Sequence, residues 1–599
     1  MSDLLNSASL VMIPSGYKED VVYSQIPTDG SGDLSFTRAS NGTRVNSAGL
    51  VEDVAWNLAQ YSEDFSNAVW SIQGSSISSD STTAPNGTTT ADTLIESNTT
   101  DEHNRFQELN IGTGEFTYSI YLKYFNTDYC ALYVFNPSLG GVRYWVNVNT
   151  LTAGTSANIG SGIGTTSLSL ASVGSGWVRA SITFTNPSGV CRFYVANAQS
   201  NGGATTYAGN GTSGVYIWGA QLNIGATAKP YFPTTDRLNV PRLTYQNGGG
   251  GCPSLLLEKQ STNLILYSED LTQSNWTKAN ASITANNTTS PDGTQNADKI
   301  VEDTANSTHG AYQAISVTDG IQYTWSGFFK AAGRTKFRLF AQSASTPYVE
   351  YDLSNGTIFS ITGSVTPTIE SVGNGWYKCT ATSTTSGTTA YFNFATLDSS
   401  NNVSYTGDGT SGIFVWGAQL EASSYPTSYI PTTSASATRV VDTCFKTGIS
   451  SLIGQTEGVI FVDLVMKNNI SSVNRVVSIT ESSWISGGSI RIDIQSGNIA
   501  VDIVNGGVTI GTISVNTPFA QNTRYKIALA YKTNDCALYM NGTQLGTNTS
   551  VGTMPTCSEF YLNELGGGFG GPWQPTEFNQ AVLFKTRLTN AELASLTTI

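Results

Sequence analysis

Phe116-Thr117-Tyr118-Ser119-Ile120-Tyr121-Leu122-Lys123 alternates large apolar residues with small or polar ones. The chain repeats the pattern as Tyr323-Thr324-Trp325-Ser326-Gly327-Phe328-Phe329-Lys330. A period of two is that of a half-buried strand. Around these two stretches the likeness extends in both directions at a nearly constant spacing. Tyr61-Ser62-Glu63-Asp64 matches Tyr267-Ser268-Glu269-Asp270, Trp70 matches Trp276, and Pro85 matches Pro291. Ala91-Asp92 matches Ala297-Asp298, and His103 matches His309, these two being the chain's only histidines. Further on, Gly176-Trp177 matches Gly375-Trp376, and Trp218-Gly219-Ala220-Gln221-Leu222 matches Trp416-Gly417-Ala418-Gln419-Leu420. This is a tandem duplication, and repeat detection governs the rest of the reading. Each copy consists of short strands between Gly, Asn and Ser turns, with no sustained helical period. The expectation is a two-sheet sandwich, a jelly roll, in each copy.

From about Asp442 the repeat gives way to a different β unit, with strands at Gly458–Val465, Ser489–Ile494 and Tyr525–Tyr531. Cys536–Met540 runs into Asn541-Gly542, a hairpin signal because this dipeptide readily takes positive φ. Thr589-x-x-Glu592 is a capping box and predicts one short helix closing the chain. The expected fold class is therefore all-β. The expected segments are an N-terminal segment 1–50, a first sandwich 51–236, a linker or hairpin 237–262, a second sandwich 263–441 and a C-terminal sandwich 442–599. Within the first segment, Leu10–Pro14 and Asp20–Tyr23 read as short strands.

At 599 residues the chain is too long for one core; roughly three to five domains are expected. Charged residues make up 12%, against about 25% in an average soluble domain. Sixty glycines and 11% aromatics favour many short strands with aromatic cores and argue against disorder. The formal charge is −14 with no basic block, so nucleic-acid binding is not expected. Neutral or weakly charged glycans suit such a surface better. No secretory signal and no membrane span is read. The seven cysteines form no CxxC pair, and buried free thiols are expected rather than a zinc site or a disulfide framework.

The tandem Tyr-Ser-Glu-Asp, Pro-(Asn/Asp)-Gly-Thr and Trp-Gly-Ala-Gln-Leu blocks resemble carbohydrate-binding-module-like jelly rolls of bacteriophage virion proteins. Phe36–Arg44, leading into Gly49-Leu50-Val51-Glu52, is similar to the N-terminal lead of such proteins. Tyr539–Gly542 and Phe584–Leu593 are similar to laminin-G/concanavalin-A-like lectin domains. The resemblance implies a non-catalytic structural component of a tail fibre, appendage or head surface, at the virion surface after assembly in the host cytoplasm. Its implied partners are other virion proteins, through residues 1–50, and host cell-surface glycans. A homo-oligomer, by analogy a trimer, is implied as well. A purely structural decoration protein with no glycan ligand is the alternative, and a polysaccharide depolymerase the least favoured reading.

The shared tryptophans are expected in the cores, since they lie at strand starts or inside alternating strands. Ligand-contact candidates are aromatics that differ between copies or sit in loops: Tyr144 and Trp145, Tyr348 and Tyr351, and Trp484 and Trp573 in the C-terminal unit. Trp573 follows a glycine-rich run from Gly566 to Pro572 that buries little by itself. Glu63, Asp64 and Asp92, and likewise Glu269, Asp270, Asp298 and Glu421, are candidates for a structural Ca²⁺, which takes six to eight oxygen ligands. No other cofactor is expected. The acids also read as turn and capping groups, and the two histidines as solvent-facing or loop-tying. No catalytic residue is expected. Retaining glycanases of concanavalin-A-like form place two carboxylates on one strand face, whereas Asp463 and Asp493 are each alone on their strands.

Overall fold

The computed structural model describes residues 2–54, 57–111, 114–164, 166–186, 189–245, 249–342, 347–467, 474–482, 487–495, 497–564 and 576–599. The protein is all-β, with two tandem sandwiches, a third and larger sandwich, and a short closing helix. The chain divides into two compact units, Ala55–Arg237 and the pair Met1–Val54 with Leu238–Ile599.

The first unit is one jelly roll of two six-stranded sheets, and the second roll repeats its strand order position by position. The expected strands are there: Gly114–Tyr124 pairs with Trp177–Asn186 on one side and Gly214–Ile224 on the other, and Gln322–Ala332 likewise with Trp376–Thr384 and Gly412–Glu421. The repeated Trp-Gly-Ala-Gln-Leu block is now explained by its packing. Trp218 and Trp416 are buried. Gly219 and Gly417 sit at φ +63 beside a bulge, and a Cβ there would press on the rings of Tyr121 and Phe328 respectively. Ala220 and Ala418 donate their N–H to the carbonyls of Ser62 and Ser268. The glutamine carboxamide oxygens accept from Phe232 N and Ile430 N. The block is a structural lock. Trp70, Trp177, Trp276 and Trp376 are buried too, as expected of core residues.

The sheets of the C-terminal sandwich do not follow the boundaries drawn from the sequence. Leu34–Thr37 pairs with Thr443–Lys446 in a nine-stranded sheet, which Tyr17–Lys18 and Val21–Val22 extend at its edge. Leu10–Met12 and Ser254–Leu257 both pair with Thr576–Phe584 in the opposing eight-stranded sheet. Residues set apart as an attachment segment and as a linker thus supply strands to both layers of the third core. Leu10, Met12, Leu34, Phe36, Leu255 and Leu257 lie in it, fully buried. Thr589 and Glu592 cap the closing helix reciprocally, and Asn541 (φ 50) and Gly542 (φ 80) make the hairpin turn.

A buried ion network ties these distant pieces together. Arg242 pairs with Glu258 at 2.7 Å and with Asp442; Arg439 reaches Glu258 at 3.1 Å; Arg38 reaches Asp442 at 3.2 Å. Ser428 adds its hydroxyl to Arg242, Arg439 and Glu258. Burial alone would raise the Glu258 carboxyl, but Arg439 and Arg242 hold it well below its usual range. Burial draws the Arg38 guanidinium down to about 10.

Two outcomes follow. A fragment of residues 442–599 will not fold alone, because strands from three other segments are missing from its sheets; far-UV circular dichroism and solubility of the fragment check this, against a chain that retains residues 1–54 and 238–258. Asp442→Ala leaves Arg38 buried without a carboxylate and Arg242 with Glu258 alone, and is expected to cost about 3–5 kcal/mol in denaturant unfolding.

Candidate functional site

The two rolls share their inner faces and differ on their outer ones. In the second roll, strands Gly310–Ser316, Thr389–Thr396, Lys336–Gln342 and Tyr348–Asp352 lie side by side. Alternation turns Ala311, Phe392, Phe394, Leu339, Val349 and Tyr351 into the core. It turns Tyr312, Tyr391, Asn393, Phe340 and Tyr348 outward. The register sets Tyr312, Asn393, Phe340 and Tyr348 in one row across four strands. Tyr312, Tyr391, Asn393 and Tyr348 are half-buried. Tyr312 meets Tyr391 edge-on at 5.9 Å and Phe340, itself buried, meets Tyr348 edge-on at 6.0 Å, so these rings do not stack on one another. Arg338 lies 3.8 Å over one face of Tyr348 and is held there by Glu350. Among the described residues, the Asn393 carboxamide has no hydrogen-bond partner. The site therefore combines an amide, which both donates and accepts, with aromatic walls.

In the first roll the same row reads Phe106, Tyr194, Tyr133 and Arg143. Here a tyrosine stands where the second roll has Asn393, and the rings close on one another. Tyr133 stacks on Tyr194 at 4.1 Å, Phe106 on Tyr194 at 4.5 Å, and Arg143 covers Tyr133 at 4.5 Å. Stacked rings use their own faces, which leaves none for a ligand. Glu102 accepts from Tyr133, Arg143 and Thr205, completing a self-satisfied surface.

The sequence-derived ligand candidates distribute unevenly. Tyr348 belongs to the open row. Tyr351 is a core residue whose hydroxyl donates to Thr380 O. Trp145 is buried at the edge of the closed stack, its Nε1 donating to Gly203 O. Tyr144 faces the first core and is half-buried, with its hydroxyl 3.0 Å from that of Thr166. Trp484 and Trp573 lie outside the described residues. Sequence reading missed Asn393, Tyr312 and Tyr391; the signal was the Tyr194-to-Asn393 difference between copies, which gains meaning only from the cross-strand register.

The carboxylates read as calcium candidates hold donors of the protein itself. Asp92 accepts from Phe65 N and Asp80 N, and Asp298 from Leu271 N and Asn286 N, pinning the first loop of each roll to the sheet. Burial raises both to about 6. Asp64 and Asp270 close turns onto Ser66 and Thr272. Glu63 accepts from Tyr231, and Glu269 from Tyr429 and Asn296. Glu421 accepts from Ser261, Gln419 and Thr427. Among the described residues, no three His, Cys, Asp or Glu side chains gather as a metal site would need. An ion would have to displace these donors.

His103 and His309 are buried, not solvent-facing, because each ring lies between two backbone carbonyls. These are Gly74 O and Tyr207 O for His103, and Asn280 O and Tyr405 O for His309, so the loop-tying role holds. Of the seven thiols, six are buried and Cys252 is exposed, since it follows the run of glycines at 249–251. Asp463 pairs with Arg524 and accepts from Asn579, while Asp493 pairs with Arg491 in the other sheet. No helix is long and apolar enough to cross a membrane among the described residues.

No family model and no curated protein matches this sequence. Among solved structures, the chain is similar to the Ruminococcus gnavus IT-sialidase CBM40 bound to alpha2,3 sialyllactose. That match has 12% identity and a TM-score of 0.23, and covers 25% of this chain and 86% of that one. The botulinum neurotoxin serotype D binding domain matches at 11% identity and a TM-score of 0.22, over 26% of this chain and 40% of that one. The leech intramolecular trans-sialidase matches at 14% identity and a TM-score of 0.22, over 24% of each. At such identities and scores the matches carry no argument about a ligand.

Glu269 gives a pH signature. Burial, with Asp292 close by, raises its carboxyl to about 8 from 4.5. The folded state therefore keeps a proton that the unfolded chain releases, and this contribution to stability is complete below pH 4.5 and lost as pH rises through 8. The melting temperature should fall between pH 6.5 and 9, a window above the titration of Asp92 and Asp298. Glu269→Gln should flatten that fall in thermal melts. A fall of equal size in the variant would rule Glu269 out as its source.

Proposed function

We propose that this chain is a non-catalytic glycan-binding protein and that the outer face of its second roll is the binding face. The observation that carries the reading is the free carboxamide of Asn393 set between the half-buried rings of Tyr312, Tyr391 and Tyr348, with Phe340 buried within the row. A pyranose offers C–H faces to rings and hydroxyls to an amide, the combination that small-ligand sites use for affinity and orientation. The closed stack on the first roll suits a spacer. The non-catalytic reading is supported by the separate ion pairing of Asp463 and Asp493 on opposite sheets.

The virion setting, with partner virion proteins, a glycan-coated host and a homo-oligomeric state, is part of this proposal and rests on the resemblance of the repeated sequence blocks. Many copies on one particle would make weak single sites sufficient through avidity. The pairing of residues 10–37 with the third sandwich shapes the proposal in one respect. Attachment to a particle through residues 10–37 would use the exposed surface of that sandwich.

The test is binding to a glycan array and to extracted host polysaccharide, with and without EDTA, alongside an assay for released reducing ends. Asn393→Ala and Tyr312→Ala should each weaken binding about tenfold, roughly 1.4 kcal/mol, and move stability by no more than about 0.5 kcal/mol as surface changes. Undiminished binding in both variants would remove the face from the account. Released sugar ends would overturn the non-catalytic reading, and loss of binding in EDTA would bring calcium into it.

A further inference from the structure

Within the larger unit, the second roll, the hairpin Thr43–Asp53 and the C-terminal sandwich enclose a cleft of about 510 Å³. That volume falls in the ~300–1,000 Å³ range of small-molecule sites. Phe328, Leu256 and Val465, all nearly buried, give it apolar lining. Six charged side chains also line it: Arg44, Glu258, Lys378 and Glu370, with Lys467 and Glu577 from the sandwich.

Their pairing is incomplete. Lys467 and Glu577 meet at 3.1 Å. Glu370 and Lys378 are Cα partners on neighbouring strands, Thr366–Gly373 and Trp376–Thr384, yet they form no ion pair. Lys378 donates once, to Thr427 O at 2.9 Å, which leaves two of its three N–H groups without a partner among the described residues. The Glu370 carboxylate accepts no hydrogen bond there either. Burial pulls the Lys378 ammonium below its ordinary value, as expected of a charge withdrawn from water with no carboxylate in contact. Arg44 and Glu258, which also line the cleft, are engaged, by Glu52 and by the arginine network respectively.

The charges on the wall sum to zero, so neither an anion nor a cation is drawn in by a net field. What is unmet is a donor set at Lys378 and an acceptor set at Glu370. A hydroxyl meets both at once, accepting from the ammonium and donating to the carboxylate. A polyhydroxylated ring adds C–H faces for the apolar lining.

We propose that this cleft is a second carbohydrate site, taking one or two uncharged sugar rings whose hydroxyls bridge Lys378 and Glu370. It shares with the outer face only the class of ligand, and none of its residues.

Saturation-transfer difference NMR on the full chain tests it, with glucose, galactose, N-acetylglucosamine, maltose and lactose as probes and glucuronate as a charged control. The Tyr312→Ala chain, in which the outer face is weakened, is expected to keep a signal from at least one neutral sugar. Adding Glu370→Gln, which is isosteric, or Lys378→Met should reduce that signal at least tenfold with the melting temperature unchanged. Survival of the signal in both double variants overturns the proposal, as does a stronger signal from glucuronate. Absence of any neutral-sugar signal in Tyr312→Ala overturns it too. Signal intact in Tyr312→Ala and lost on adding Glu370→Gln supports the cleft even if the outer face fails.

Discussion

Three arginines and two acids, withdrawn from water together, hold the larger unit in its arrangement. Arg38 follows a strand near the N-terminus, Arg242 and Glu258 flank the hairpin after the first roll, and Arg439 and Asp442 leave the second roll. Each ion alone would be costly to bury by several kcal/mol. The cost is offset only when all five converge, with Ser428 and backbone carbonyls taking further donors, while Arg38 Nη2, Arg242 Nε and Arg439 Nε keep no partner among the described residues. The network is therefore less a source of net stability than a condition on topology: chain segments hundreds of residues apart must meet or leave charges stranded. Glu258 N donates to Asp442 and Asp442 N to Glu258 O, which locks the two chain passages in register.

That constraint explains why the third sandwich is discontinuous. Its sheets need the strands at Leu10–Met12, Leu34–Thr37 and Ser254–Leu257, and the ion network sits where those passages leave it. The same convergence brings the hairpin Thr43–Asp53 beside the second roll and so creates the charged cleft. The first roll enters the chain as an insertion between two passages of the larger unit.

Duplication supplied two equal scaffolds, and their divergence is confined in a telling way. Inner positions such as Phe193 and Phe392, or Trp70 and Trp276, keep their bulk because close packing punishes a change of volume. Outer positions are free of that demand. A tyrosine at 194 lets four side chains stack into a closed surface, whereas asparagine at 393 opens the stack and leaves an amide among rings. All four residues of the row differ between the copies, and the change from tyrosine to asparagine is the one that leaves an amide among rings.

The amino-acid sequence by itself determined the strand periodicity, the duplication, the buried tryptophans, the hairpin at Asn541-Gly542 and the capped closing helix. All of these depend on residues close together in the chain or on direct comparison of its two copies. Tertiary structure alone decided what depends on register and on distant partners. It decided which face of Tyr348–Asp352 is the inner one, so that Tyr351 turns inward and Tyr348, at an odd spacing from it, outward. It set Asp92 and Asp298 against backbone donors and Glu63 and Glu269 against side-chain ones, and it folded residues 10–37 into the last domain. The physical reason is the same in each case: a strand exposes its backbone donors and acceptors sideways, and which strand satisfies them is not written in its own alternation.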